Sequence, residues 1–145
     1  MAKLGSRAGW SGNYCHDLTE TTSLTPGDSG KVFFLNSATE FTTTLPSVAD
    51  AGAGFNVKFI VKAAPASADY VISEKASADT NVVIVNGISE LETDDGEDGV
   101  YSAGCTFINF KDGVAVAGDW VELLCDGTNW YATGQTNADG GVTAT

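Results

Sequence analysis

Between Trp120 and Ala132 the chain carries two strand-like runs, Trp120-Val121-Glu122-Leu123-Leu124-Cys125 and Thr128-Asn129-Trp130-Tyr131-Ala132, joined by Asp126-Gly127. Gly takes up a positive φ without a Cβ clash and Asp tolerates it, so this unit reads as a terminal β-hairpin. A second segment alternates along its whole length. Phe55, Val57, Phe59 and Val61 fall on one face and Asn56, Lys58, Ile60 and Lys62 on the other, which is the period-2 signature of a half-buried strand. Further runs, Lys31 to Leu35, Phe41 to Leu45 (closed by Pro46), Asn81 to Val85 and Cys105 to Phe110, read as strands. Asn86-Gly87 and Asp112-Gly113 supply two more turn pairs. One short helix is expected within Pro46 to Gly54, limited by its glycines to a turn or two. The sum is an all-β chain, expected as a single-domain antiparallel β-sandwich or jelly-roll-like body with an extended N-terminal arm.

The length of 145 residues suits one domain, and 43% hydrophobic with 10% aromatic residues is too apolar for a disordered chain. Seven basic residues face nineteen acidic ones, a formal charge of −12. Such a surface repels phosphate backbones and anionic bilayers, so neither nucleic acid nor membrane is expected as a partner. No run approaches the ~20 apolar residues of a membrane span, and the N-terminus shows no secretory h-region. The charge is not evenly spread. Residues 1–14 hold Lys3 and Arg7 and no acid, so their side chains contribute +2 and the rest of the chain −14. We divide the chain into a flexible arm (1–17), a body (18–135) and a Gly- and Ala-rich tail (136–145) that is either a partner-ordered strap or loose. Lys3, Arg7, Trp10 and Tyr14 are the arm's candidate contacts with a protein partner, against the plain alternative of a frayed terminus.

Catalytic groupings are scarce. His16 is the only histidine. It adjoins Cys15, but adjacent residues of an extended chain point to opposite faces and do not make a nucleophile–base pair. Cys15, Cys105 and Cys125 are too few and too odd in number for a disulfide framework; a Cys105–Cys125 bridge between nearby strands stays open. With His16 they lack the close-set cysteine pair of a zinc site. Gly52-Ala53-Gly54 leads into a strand rather than out of one into a helix, the wrong order for a phosphate cradle. The segment from Glu90 to Asp98 has six acids in nine residues. Clustered carboxylates suit Ca²⁺, yet the spacing is not that of an EF-hand, and a solvated self-repelling loop is the plain reading. Glu122 is expected on an outward strand face with Trp120 and Leu124, at a sheet edge or interface. No enzyme activity, cofactor, metal or small-molecule substrate is expected.

Three stretches carry a resemblance: Thr21 to Leu35 with Thr25-Pro26-Gly27-Asp28 at its centre, Phe41 to Pro46 followed by Ala51 to Val61, and Gly118 to Tyr131. Together they resemble a β-module of tailed-bacteriophage virion proteins, found in capsid decoration (cement) proteins and in head- and tail-fibre domains. The resemblance spans roughly residues 19–134 and implies a non-enzymatic domain, usually trimeric, displayed on the particle. It supplies no catalytic residues. Without repeats or heptads for a fibre stalk, it points first to a cement protein. That protein would be made in the host cytoplasm, sit on the capsid outer surface and bridge neighbouring major capsid subunits as a homotrimer. The other member of the family, a fibre module recognising host-surface glycan, would use Trp120, Trp130 and Tyr131 as a stacking platform.

Overall fold

The structure is a computed structural model and describes residues 14–74, 84–91 and 99–145. The strands among these residues are β1 (Cys15–Leu18), β2 (Thr22–Ser23), β3 (Val32–Leu35), β4 (Phe41–Thr44), β5 (Asn56–Val61), β6 (Tyr70–Ser73), β7 (Ile84–Glu90), β8 (Gly99–Cys105), β9 (Phe107–Phe110), β10 (Trp120–Cys125), β11 (Trp130–Thr136) and β12 (Val142–Ala144). They form a seven-stranded sheet in the order β1-β3-β5-β10-β11-β7-β8 and a five-stranded sheet in the order β12-β9-β6-β4-β2. The alternation read from Phe55 to Lys62 holds: Val57, Phe59 and Val61 are buried while Asn56, Lys58 and Ile60 are only partly so. The same alternation in β10 buries Val121, Leu123 and Cys125. The inward residues of both sheets meet in one cluster that includes Phe33, Phe59, Trp130, Tyr70, Ile108 and Phe110.

The class is all-β, but the antiparallel expectation does not hold, because both sheets are mixed. Up to β6 the chain passes from one sheet to the other at every step. Strands β1, β3 and β5 therefore pair in parallel in the larger sheet, and β2, β4 and β6 in the smaller. The physical reason is connectivity. A hairpin returns a strand beside its predecessor and reverses it, whereas β3, β4, β5 and β6 each return after a single strand in the opposite sheet and run the original way. Antiparallel pairing begins in the second half, with β7–β8, β6–β9, β9–β12, β5–β10 and β10–β11, while β7 and β11 pair in parallel.

The turn pairs fare unequally. Asp126-Gly127 opens the β10–β11 hairpin as expected, in a four-residue loop with Cys125 opposite Trp130 and Gly127 at φ +93°. The Asp126 carboxylate accepts the N–H groups of Thr128 and Asn129, each at 2.7 Å. Those two bonds hold its carboxyl below the usual aspartate range. Asn86-Gly87 is not a turn. It lies inside β7, where Asn86 is buried and donates from Nδ2 to Cys105 Sγ at 3.4 Å. Asp112-Gly113 does turn, with Gly113 at φ +72°, but it lies on the path from β9 in one sheet to β10 in the other. The expected helix is one turn, Val48–Ala51 (α1), with Ser47 Oγ accepting the Asp50 N–H at 3.1 Å. Of the run Asn81 to Val85, only Ile84 and Val85 fall in the described residues, where they open β7.

Both ends of the body shift from the expected divisions. Residues 15–17, assigned to the arm, belong to β1 and pair with Val32 to Phe34. Part of the tail is β12, paired with β9 from Val142–Phe110 to Ala144–Ile108. Each segment gains a ladder of backbone hydrogen bonds, and Leu18 and Val142 each bury a side chain in the common cluster.

Two glycines test the packing in opposite directions. A Cβ on Gly134 would stand 2.3 Å from the Trp120 carbonyl oxygen and 3.0 Å from Val121 Cγ2, whereas one on Gly87 meets nothing within 4 Å. Gly134→Ala should therefore destabilise the protein by about 1–3 kcal/mol through overpacking. Gly87→Ala should leave stability unchanged or raise it by up to about 1 kcal/mol by removing strand-glycine entropy. Urea unfolding of the two variants checks this, and equal midpoints would contradict it.

Candidate interaction surface

The larger sheet buries one face in the core, and its other face forms three cross-strand rows. The first runs Asp17–Phe34–Ile60–Trp120–Gln135–Ser89–Gly99, the second Cys15–Val32–Lys58–Glu122–Thr133–Gly87–Tyr101, and the third Asn56–Leu124–Tyr131–Val85. Strand alternation places Phe34, Ile60, Trp120, Leu124, Tyr131 and Tyr101 on this outer side. Leu124 is 47% exposed, Tyr131 41% and Tyr101 76%. The expectation that Glu122 shares an outward face with Trp120 and Leu124 holds, but β10 is central, flanked by β5 and β11, and not at an edge.

Opposite charges on this face lie close together: Lys62 is ion-paired with Asp17, and Lys58 faces Glu122 in register. Lys58 stands opposite Glu122 in register, and its Nζ lies 3.9 Å from the centroid of the Trp120 ring, a cation–π contact. Lys62 Nζ is 2.6 Å from Asp17 Oδ2, with Asn36 Nδ2 donating to the same oxygen at 3.0 Å. These bonds hold the Asp17 carboxyl below the usual range. The Tyr131 phenol is pushed up by its hydrogen bond to Asp126.

Of the arm residues, Lys3, Arg7 and Trp10 lie outside the described residues. Tyr14 is described. It is 51% exposed, and its carbonyl accepts the Val32 N–H at 2.9 Å, beside the edge strand β1. The stacking platform is not formed as a set. Trp130 is fully buried, edge-on to Phe55 at 5.5 Å between ring centroids, while Lys58 lies over Trp120. Neighbours along a strand point to opposite sides, so Trp130 and Tyr131 never share a face.

His16 faces the Phe33 ring at 6.0 Å between centroids, while Cys15 is exposed on the other side of β1. Cys105 and Cys125 are buried and unpaired. They lie in one cross-strand row, Cys125–Trp130–Ile84–Cys105, three strand spacings apart. At about 4.8 Å per spacing that is roughly 14 Å, twice what a disulfide spans, so the bridge left open by the sequence is excluded. Burial pushes both thiols up from their ordinary range. Among the described residues no three His, Cys, Asp or Glu side chains converge as a metal site. The acidic segment is described only at Glu90 and Leu91, where Glu90 Oε1 accepts the Gly140 N–H at 3.1 Å.

One polar group escaped the sequence reading. Asp119 is fully buried. Its Oδ1 accepts from Asn137 N at 2.9 Å and Asn137 Nδ2 at 2.7 Å. Its Oδ2 accepts from Val116 N at 2.9 Å and Thr136 Oγ1 at 3.2 Å. A carboxylate satisfied by four neutral donors ties the loop before β10 to the end of β11 and so fixes the angle of the hairpin that carries Trp120, Leu124 and Tyr131. Gly118, at φ +104° beside it, is the sole sequence signal.

Comparison with known proteins finds no family model, no curated protein and no solved structure that matches this chain.

Asp119→Ala should cost roughly 2–4 kcal/mol, because it strands buried donors. Chemical denaturation measures it, and a loss under about 1 kcal/mol would show the clamp to be dispensable. Iodoacetamide should label one thiol per native chain, at Cys15, and three after denaturation. Native labelling at Cys105 or Cys125 would contradict the packing.

Proposed function

We propose that this protein is a non-enzymatic virion structural protein, a capsid decoration protein that binds the assembled phage head as a trimer and bridges neighbouring major capsid subunits. The observation that carries the reading is where the chain joins its body. Residue 14 stands beside β1, the edge strand of the larger sheet, half-exposed and tied to Val32 by one backbone hydrogen bond. The basic residues Lys3 and Arg7 and the aromatic Trp10 precede this edge, on a chain whose other residues sum to −14. A positively charged segment attached at the rim of an acidic body is suited to lie along a neighbouring polypeptide, while the body repels nucleic acid. The segments that resemble the virion module supply β3, β5, β10 and β11, adjacent in the larger sheet, and β2 and β4, adjacent in the smaller.

The mechanism is linkage. A protein that binds the expanded shell and not its precursor stabilises the expanded state by RT ln(1 + [L]/Kd), about 4 kcal/mol per site at a free concentration ~1,000 times Kd. Packaged DNA presses outward, and each bridge between shell subunits opposes rupture.

Co-sedimentation with undecorated heads tests this. Saturable binding is expected for the full chain. A chain lacking residues 1–13, which keeps the Tyr14–Val32 hydrogen bond, should retain its circular dichroism and lose at least about 1.4 kcal/mol of affinity, a tenfold change. Unchanged occupancy of the truncated chain would reject the arm as the contact. No head binding by the full chain, together with binding to a glycan array, would replace this reading with a receptor-binding module.

A further inference from the structure

We propose that the outer face of the seven-stranded sheet, centred on Ile60, Trp120, Leu124 and Tyr131, is the surface through which copies of this chain pack on one another. This deepens the trimer reading above and rests on it only for the number of copies.

The first ground is apolar content where the fold does not require it. A sheet in a two-sheet body buries one face in the core and turns the other to solvent. The smaller sheet behaves in that way. Its outer rows are Thr42–Val71–Asn109–Thr143 and Ser23–Thr44–Ser73–Phe107, mostly hydroxyl and amide side chains. The larger sheet does not. It lines up Phe34, Ile60 and Trp120 side by side across β3, β5 and β10, and Leu124, Tyr131 and Val85 across β10, β11 and β7, with the row Lys58–Glu122–Thr133 between them. Two rows of aromatic and aliphatic side chains on either side of one pair of opposite charges are more apolar than a solvated sheet face needs, and aromatic side chains are enriched at protein–protein interfaces.

The second ground, charge, selects the occupant. The chain carries −12, so two copies repel unless they meet where the charge is locally cancelled. On this face it is cancelled. Lys58 sits opposite Glu122 and over Trp120, and Lys62 pairs with Asp17. Lys58 and Lys62 are two of the seven basic residues in the sequence. A basic partner would gain more from the acidic remainder of the body than from a neutral face. A second copy of the same acidic chain gains here and loses elsewhere. With both signs side by side, the face is also self-complementary, since the Lys58 of one copy can meet the Glu122 of another without an unpaired charge being buried.

The test is the mass of the full-length protein in solution, by sedimentation velocity, for the wild type and three variants. The wild type should sediment as an oligomer, about three times the 15.0 kDa chain under the trimer reading. Leu124→Lys places a charge in the second apolar row, beside Tyr131, and should give a 15.0 kDa species with unchanged circular dichroism. Val71→Lys, on the outer face of the smaller sheet, should leave the oligomer intact. Should Leu124→Lys fail to fold, Lys58→Glu carries the test. It sets two negative charges side by side and should dissociate the oligomer, and the exchange Lys58→Glu with Glu122→Lys should restore it. A wild type that is monomeric at every concentration, or a folded Leu124→Lys that keeps its mass, overturns the proposal. If Leu124→Lys keeps its mass but no longer binds heads, the face belongs to the shell contact and the decoration reading survives alone. If Leu124→Lys dissociates while the wild type ignores heads, the face is as proposed and the decoration reading fails.

Discussion

One shared core between two sheets is the constraint on which the rest of the structure depends. Neither sheet is stable with its apolar side in water, and each supplies half of what covers the other. Phe33 and Phe59 stack at 5.6 Å between centroids on the larger sheet, and Phe41 and Tyr70 meet at 4.7 Å on the smaller. Because the chain crosses between sheets at each step from β1 to β6, successive crossings add strands to the two sides of the core in turn. The parallel pairings of the first half follow from that path; in the second half the hairpins β7–β8 and β10–β11 are antiparallel, β5–β10, β6–β9 and β9–β12 are antiparallel across longer connections, and β7–β11 is parallel.

Crossing between layers leaves many connecting segments, and a few polar side chains hold them. The Tyr70 hydroxyl accepts from Ser37 N at 3.1 Å and donates to Ala63 O at 2.9 Å, tying two connections to one strand. Asp69 accepts from Lys111 Nζ at 2.6 Å and from Asp112 N at 2.8 Å, so the chain before β6 is fixed to the turn after β9. Thr25 and Asp28 close a reciprocal cap on the single turn Pro26–Asp28. Burial alone would raise the Asp28 carboxyl; the hydrogen bonds from Lys31 and Thr25 outweigh it and hold it below the usual range. Asp119 ties its segments together in the interior with no cation among its partners. In each case one polar side chain accepts a backbone N–H from an irregular segment, which is how such segments satisfy their amides next to a dry core.

The outward faces then divide the labour. The hydroxyl-rich side of the smaller sheet is compatible with water, while the larger sheet presents aromatic and aliphatic side chains on either side of Lys58 and Glu122. The chain enters at the edge of that same larger sheet, beside β1. Under the two proposals above, the outer face of the larger sheet contacts copies of the chain, and Lys3, Arg7 and Trp10 contact a different protein.

Local pattern was enough to fix the strands that alternate strongly. Phe55 to Lys62 and the Trp120–Ala132 hairpin announce both their strands and their inward residues, since a period of two is written directly into the order of side chains. The outward sharing of Trp120, Glu122 and Leu124 followed from the same period. The strands β1, β2, β6, β8 and β12 were not legible as elements, because their residues carry no strong alternation of apolar and polar side chains, and they become strands only when a neighbour offers a ladder. Asn86-Gly87 spells a turn locally, yet Asn86 is buried against Cys105, and that tertiary contact overrides the propensity. Which strands lie side by side, and in which direction, depends on the path of the chain between sheets. No local window contains that path, so the parallel first half, the central position of β10 and the wide separation of Cys105 from Cys125 were decided by tertiary structure alone.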